Sequence, residues 1–305
     1  MKMESLDRCN VCDSTEIRSV DAENRICTCL SCGYVFDSPR PAATEIGDYY
    51  SGPAKYDSWL SEESARDVLW KRRLGKLRRR SKGGTLLDVG AGIGQFLHHA
   101  KPFFTKVTGT EVSDSAARLA RSKYGLDLVR GNLTSIEIGA DGLYDNITMF
   151  HVLEHVPNPK KTIRACWRLL RERGVLVVAV PNDILSLSRR SKTRVKKLLW
   201  RIGVRRSGDP GALGLKKIAL DGSLDEIHLS HFTPSVLQHL LENSGFRVLE
   251  SSLDPYYVAS GLKLLRCRCC YGIAACVQFI LGRNIYETIW MVGEKVGHEA
   301  RERTG

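Results

Sequence analysis

An α/β architecture, a parallel sheet with helices on both faces behind a small four-cysteine ribbon, follows from three features of the sequence. Short apolar runs at 85–89, 106–111, 145–150 and 175–180 alternate with helical stretches at 95–100, 113–124 and 159–170. Apolar runs of that length suit strands buried on both faces, which a parallel sheet with crossover helices provides. Cys9-x2-Cys12 and Cys29-x2-Cys32 enclose sixteen residues, and two such knuckles present four sulfurs tetrahedrally, as a structural zinc site requires. The first strand ends in Asp88-Val89-Gly90-Ala91-Gly92-Ile93-Gly94, a glycine bend at the strand's carboxyl end, where open α/β sheets bind ligands.

The ribbon occupies 1–40. Gly33 directly after Cys32 suits a tight knuckle, and Cys27, two residues before Cys29, is a free thiol or an alternative ligand. Pro39 and Pro41 end this unit, and 41–82 reads as a linker and helical cap carrying Tyr49, Tyr50 and Tyr56, with a helix over 62–80 stopped by Lys82-Gly83-Gly84. The body spans 83–305. It holds a basic insert at 183–224, a helix over 234–244, a strand over 247–253, an apolar insert at 254–285 with the stretch LKLLRCRCCYGIAACVQFIL, and a last strand over 287–293.

Length and composition bound the function. A chain of 305 residues, 43% hydrophobic and 26% charged, holds about two globular units and excludes wholesale disorder or a polytopic membrane protein. The net charge of +12 favours an anionic partner. It is concentrated in two segments, with nine cations and one acid in 66–82 and eleven and one in 189–217. The opening MKMESLDRCNVCDS has no apolar leader, and no run of 18 apolar residues follows, so a cytoplasmic protein is expected and its ten cysteines read as thiols rather than disulfides. Val195, Leu198, Leu199 and Ile202 recur at helical spacing among cations, the pattern of a basic amphipathic helix able to rest on an anionic membrane. The stretch 271–281, too short to span a bilayer, has Arg266 and Arg268 at its edge and suits peripheral docking or an acceptor pocket.

The glycine bend selects among cofactors. A dinucleotide fingerprint would place its third glycine at 95, where Gln95 stands, and here it falls at Gly94. Asp88 beside the bend would repel a pyrophosphate and favours a cofactor bearing amino and sulfonium cations. Glu111, seventeen residues past Gly94 at the end of the second strand, is placed to accept ribose hydroxyls. Asn132, after the third strand, meets an adenine edge or caps its own loop.

These segments, LLDVGAGIGQF, VTGTEVS, the GNL turn, YDNITMFHVLEHVPNP and GVLVVAVPN, resemble the class I S-adenosylmethionine-dependent methyltransferases over most of 85–182. The resemblance implies a Rossmann-like methyltransferase sheet in which Gly90, Gly92 and Gly94 line the methionine side of the cofactor, Asp88 lies near its amino group and Glu111 binds ribose. The family more often has Asp at the position of Asn132. His151, after the fourth strand, would sit beside the reacting centre. The ribbon, the segment Ile227-His228-Leu229-Ser230-His231-Phe232-Thr233-Pro234 and the LENSGF turn are similar to bacterial methyltransferases that carry an N-terminal zinc-binding ribbon and act on sugars, antibiotic precursors or surface-glycan intermediates. In the sugar C-methyltransferases a Glu-His pair precedes the serine of this segment, whereas here the pair is Ile227-His228.

Methyl transfer from a sulfonium is an in-line displacement, so alignment of acceptor, methyl carbon and sulfur dominates, and a base matters only for an acceptor with a removable proton. His228 and His231, three apart before the Phe232-Thr233-Pro234 turn, are the candidate bases, while Glu154 and His155 read as helix-entry and packing residues. The implied acceptor is a small molecule, sugar or lipid-linked glycan intermediate, met in the cytoplasm or at the inner membrane face. The rival is an RNA methyltransferase gripping phosphates with the two basic segments. Nucleic acid is disfavoured by the ribbon, whose five cations face seven acids, and by the lack of an aromatic stacking stripe. A non-enzymatic ribbon adaptor is disfavoured by the intact Asp88, glycine bend and Glu111.

Overall fold

The computed structural model of the chain describes residues 2–51, 62–135, 142–202, 211–220, 226–255, 257–259 and 261–296. The N-terminal unit contains β1 (Met3–Glu4), β2 (Ile17–Asp21), β3 (Ile26–Cys29), β4 (Val35–Asp37) and β5 (Arg40–Pro41), followed by α1 (Ala43–Ser51) and α2 (Glu63–Arg78). The body begins with β6 (Thr85–Val89), α3 (Gln95–Ala100), β7 (Lys106–Glu111), α4 (Asp114–Tyr124), β8 (Val129–Arg130), β9 (Tyr144–Phe150), α5 (Pro159–Leu169) and β10 (Leu170–Pro181). It ends with α6 (Leu187–Arg201), β11 (Ser230–His231), α7 (Pro234–Glu242), β12 (Phe246–Ser252), α8 (Gly261–Leu281) and β13 (Thr288–Lys295). Tyr56 lies outside the described residues.

The apolar runs become strands because successive residues enter opposite cores, the period of extended chain. Leu86 packs with Trp70, Phe96 and Trp290 on one face, and Leu87 with Ile147, Met149 and Leu176 on the other. The seven strands lie in the order β12-β13-β10-β9-β6-β7-β8. From β10 to β8 all pairs are parallel, whereas β13 is antiparallel to both β10 and β12, so the sheet is mixed where the sequence led us to expect a parallel one. A strand buried on both faces is apolar whichever way it runs, and that pattern carries no direction. Side-chain caps fix the crossover helices: the Ser113 hydroxyl accepts from Ala116 N–H, and the Asn158 amide oxygen from Lys161 N–H with Pro159 in the first turn.

The cationic run over 66–82 is divided: Arg66 and Arg73 are buried, whereas Lys71, Arg78, Arg79, Arg80 and Lys82 are exposed. Arg73 and Asp254 form a fully buried pair, with Nε 3.0 Å from Oδ2; Lys76 donates to Ser252 Oγ and to the Leu253 carbonyl, and Arg80 meets Glu250 at 2.9 Å. Arg66, Arg73, Lys76 and Arg80 of the basic segment are thus engaged by carboxylates within the chain. In α6, by contrast, no residue is buried, and α8 buries only Ala274. The latter runs for 21 residues from Gly261 and is long and apolar enough to cross a membrane by length and composition, which corrects the eleven-residue stretch expected over 271–281.

The ribbon is sewn into the body. Its sheet has the order β11-β4-β3-β2, with Ser230 paired to Phe36 and His231 to Val35. The Tyr34 hydroxyl lies 2.5 Å from Ser230 Oγ, and Tyr34 and Phe36 share one core with Leu153, Phe232 and Leu237. Replacement of the fully buried Phe36 by alanine should cost about 3–5 kcal/mol. Because that core is common, urea denaturation followed by tryptophan fluorescence of the body is expected to shift as one transition, without a separate ribbon step.

Candidate active site and four-sulfur centre

The bend after β6 is left-handed at Gly90, Gly92 and Gly94, with φ of 70°, 55° and 79°. A Cβ on Gly90 would stand 2.4 Å from Val152 Cγ2. Gly94 serves packing instead: it caps α3, and a Cβ there would meet Leu126 and Ala120 at 2.9 and 3.2 Å. The bend is locked by Glu111, whose Oε2 accepts the Gly92 N–H at 2.8 Å and whose Oε1 accepts the Ser113 N–H at 2.9 Å. Burial raises the Glu111 carboxyl above its ordinary value, against these backbone donors, and each oxygen retains a second lone pair for a ribose hydroxyl. Asp88 lies beneath the bend and receives the Thr148 hydroxyl at 2.6 Å. Burial pushes its carboxyl up to about 7, opposed by that hydrogen bond and by Arg73.

A cavity of about 490 Å³ opens at this end of the sheet, walled by Gly90, Gly92, Glu111, Asn132, His151 and His155 among others. Asp88 and Gly94 are not among its lining residues. Asn132, on the cavity wall, uses Oδ1 to accept the Thr134 N–H and hydroxyl, which is the loop-capping role. His151 holds φ 57°, a left-handed value that costs a non-glycine residue about 1–3 kcal/mol and marks a constrained site.

Beyond the cavity wall lies a cluster of histidines and carboxylates. His228 Nδ1 and His231 Nδ1 both stand 3.2 Å from Asp183 Oδ2, and His231 Nε2 is 3.2 Å from Asp37 Oδ2. Asp37 comes from β4, so the ribbon supplies one end of the chain Asp37–His231–Asp183–His228. Both ring nitrogens of His231 face carboxylates; burial opposes its charge, while Asp183 and Asp37 outweigh that and raise its pKa above the usual histidine value. Burial likewise opposes the charge on His228, yet hydrogen bonds to Asp183 and Glu226 lift it to about 10. Neither of these candidate bases, His228 or His231, lines the cavity.

The residues that sequence reasoning missed complete this picture. Glu226 Oε2 lies 3.6 Å from His228 Nε2, so the acid absent at 227 stands one position earlier. His155, read as packing, lines the cavity; burial holds its pKa below the usual histidine value. Its Nδ1 lies 2.6 Å from the Ile227 carbonyl and 2.9 Å from the Tyr50 hydroxyl. A carbonyl only accepts, so Nδ1 carries the hydrogen and Nε2 the lone pair. The spacing of Glu154-His155 was visible in the sequence, but only the fold brings Tyr50, Asp183 and Glu226 to them.

In the ribbon, Cys9 and Cys32 Sγ are 3.6 Å apart and Cys12 and Cys29 Sγ 3.5 Å, all four lying within 4.8 Å of one another. Zn–S bonds of about 2.3 Å in a tetrahedron imply sulfur separations of about 3.8 Å, so the four fit a closed zinc shell. Cys27 points elsewhere, toward the Ser38 carbonyl at 3.6 Å.

Residues 59–251 match the family model described as a methyltransferase domain. A protein of Mycolicibacterium smegmatis described as a probable S-adenosylmethionine-dependent methyltransferase is 26% identical over 209 residues, 68% of this chain and 66% of its own. The ubiquinone biosynthesis O-methyltransferase of Pseudomonas paraeruginosa is 31% identical over 105 residues, 33% of this chain and 45% of its own. The chain thus spans from about half to about two thirds of the length of the curated relatives it matches. Among solved structures, a Thermotoga maritima S-adenosylmethionine-dependent methyltransferase described as a possible histamine N-methyltransferase shares the fold, with a TM-score of 0.51, 15% identity and coverage of 82% of this chain and 99% of that one.

Asp88 yields a signed pH prediction. A carboxyl whose pKa is higher folded than unfolded stabilises the fold most below its unfolded value, near 3.9, and that contribution is lost as pH rises toward the folded value of about 7. The melting temperature of Asp88→Asn should therefore change less than that of the parent chain between pH 4.5 and 7.5 (about the interval between the two pKa values). Equal slopes would contradict the buried placement of Asp88. Gly90→Ala, which combines the Val152 clash with a left-handed φ, is expected to weaken cofactor affinity at least about tenfold (about 1.4 kcal/mol) in titration calorimetry.

Proposed function

The chain belongs to the methyltransferase-domain family of class I, S-adenosylmethionine-dependent enzymes, and on that premise we propose that its acceptor is a lipid-linked glycan or related small polar intermediate, methylated at an anionic membrane surface on the cytoplasmic side. The carrying observation is the placement of α6 and α8. The first follows β10 and the second precedes β13, where Pro181 pairs with Thr288 and the Leu187 N–H donates to the Ile285 carbonyl at 2.9 Å. Both helices therefore leave the sheet at the carboxyl end of β10, the end on which the cavity opens. They expose large apolar side chains there, including Leu198 at 60%, Ile202 at 66%, Leu262 at 85% and Phe279 at 92%. Seven cations and no acid stand on α6, and Lys263, Arg266 and Arg268 on α8. Such faces suit an anionic lipid surface, which attracts each nearby Lys or Arg by about 1 kcal/mol.

At that surface the cavity would receive the acceptor beside the methyl group, and alignment alone supplies about 7–11 kcal/mol in favourable cases. The four cysteine sulfurs would hold a zinc ion with no open position, so its part is structural: it would keep Asp37 against His231. Against the RNA reading stand the exposed apolar side chains interleaved with the cations of α6.

Flotation of the chain with vesicles containing anionic lipid checks the surface, with Leu198→Glu and Phe279→Glu expected to abolish association while leaving cofactor binding intact. Incubation with isotopically labelled S-adenosylmethionine and fractionated cell extract checks the acceptor. Label in the lipid-extractable fraction is expected; label confined to RNA would overturn the acceptor class.

A further inference from the structure

Glu154 is 1% exposed, and neither of its carboxylate oxygens has a hydrogen-bond partner. Such a group is expensive to bury. Its neighbours are imidazoles at longer range: His151 Nδ1 lies 3.4 Å and His155 Nε2 3.8 Å from Oε1. One donor atom each from Glu154, His155 and His228 falls within 4.8 Å of the others. Both rings are held by their far nitrogens, His155 Nδ1 by the Ile227 carbonyl and His228 Nδ1 by Asp183. Outer partners of this kind fix the tautomer of a metal-ligating histidine and leave Nε2 for the cation. Glu226, 3.6 Å from His228 Nε2, offers a further oxygen and lines the cavity with His151 and His155.

From this geometry we infer that Glu154, His155 and His228 form a second metal site, distinct from the ribbon sulfurs, for a divalent first-row cation at the cavity wall, which the site meets through His155. Two imidazoles with one or two carboxylates suit Zn²⁺, Mn²⁺ or Fe²⁺ rather than a thiolate-loving ion. The neighbouring group of Asp183, His228 and His231 is not such a site, because His231 has both nitrogens engaged by carboxylates.

The consequence deepens the methyl-transfer reading and rests on it. A hydroxyl oxygen of the acceptor, bound to the cation, releases its proton to water at a lowered pKa. A lone pair of that oxygen would then form the bond to the methyl carbon as the carbon–sulfur bond breaks, the electrons of the broken bond staying on sulfur as the sulfonium becomes a neutral thioether. The site therefore assigns oxygen, rather than carbon, as the methylated atom.

The test is a titration of the full chain, its ribbon already zinc-loaded, with Mn²⁺ followed by electron paramagnetic resonance of the free ion and with Zn²⁺ followed by elemental analysis. One further cation per chain is expected, bound at least about tenfold more weakly by Glu154→Gln and His228→Gln (even outer-shell changes cost about 10–100-fold). Retained ribbon zinc reports that each variant is folded, and either variant suffices if the other fails that check. No second equivalent of either ion, or equal affinity in a folded variant, overturns the site. Calorimetry with S-adenosylhomocysteine separates the two readings: a chain that binds this product but no second cation loses only the metal site, and one that binds the cation but not the product keeps the site and loses methyl transfer.

Discussion

A single buried carboxylate holds the cofactor end of this molecule together. Glu111, 4% exposed at the end of β7, grips the glycine bend through the Gly92 N–H and the entry of α4 through the Ser113 N–H. A carboxylate out of water is tolerated when backbone donors satisfy it. Here those donors belong to two different strand-to-helix turns, so satisfying the charge also fixes the turns relative to each other. The cavity between them inherits its shape from that lock. Gly90 takes part because any larger residue would collide with Val152.

The opposite wall is built on the same principle with histidine as the connector. The run Asp37–His231–Asp183–His228 reaches from the ribbon to the cavity edge, and strand pairing of Ser230 and His231 with β4 holds it in register. The ribbon acts on the site without touching it: four sulfurs organise β3 and the following turn, β4 carries Asp37, and Asp37 orients His231. A metal held by the four sulfurs would therefore serve the catalytic body without chemistry of its own. The arrangement also places the sulfurs in the same core as the sheet, so local unfolding of one unit exposes the apolar surface of the other.

Local rules in the sequence reached the sheet strands, the crossover helices, the glycine bend, Glu111 and the four clustered cysteines, because each is written in contiguous residues of characteristic spacing. What lay outside those rules depends on distance in the chain. The direction of β13 is silent in an apolar run. The burial of Arg73 is invisible without its partner, since it finds Asp254 at a separation of 181 residues. The acid of the histidine segment was sought at 227 and stands at Glu226, and His155 read as packing until Tyr50 and Ile227 closed around it. Asp88 and Gly94 belong to the motif by spacing, yet the first supports the bend from beneath and the second packs α3 against α4.

The central claim is that the bend between Asp88 and Gln95 binds an adenosyl thioether rather than a dinucleotide, and calorimetry on the full chain tests it most directly. Titration with S-adenosylhomocysteine is predicted to give saturable heat at one equivalent per chain, abolished by Glu111→Ala, with no heat from NAD under the same conditions. Saturable heat from NAD and none from S-adenosylhomocysteine would contradict the account.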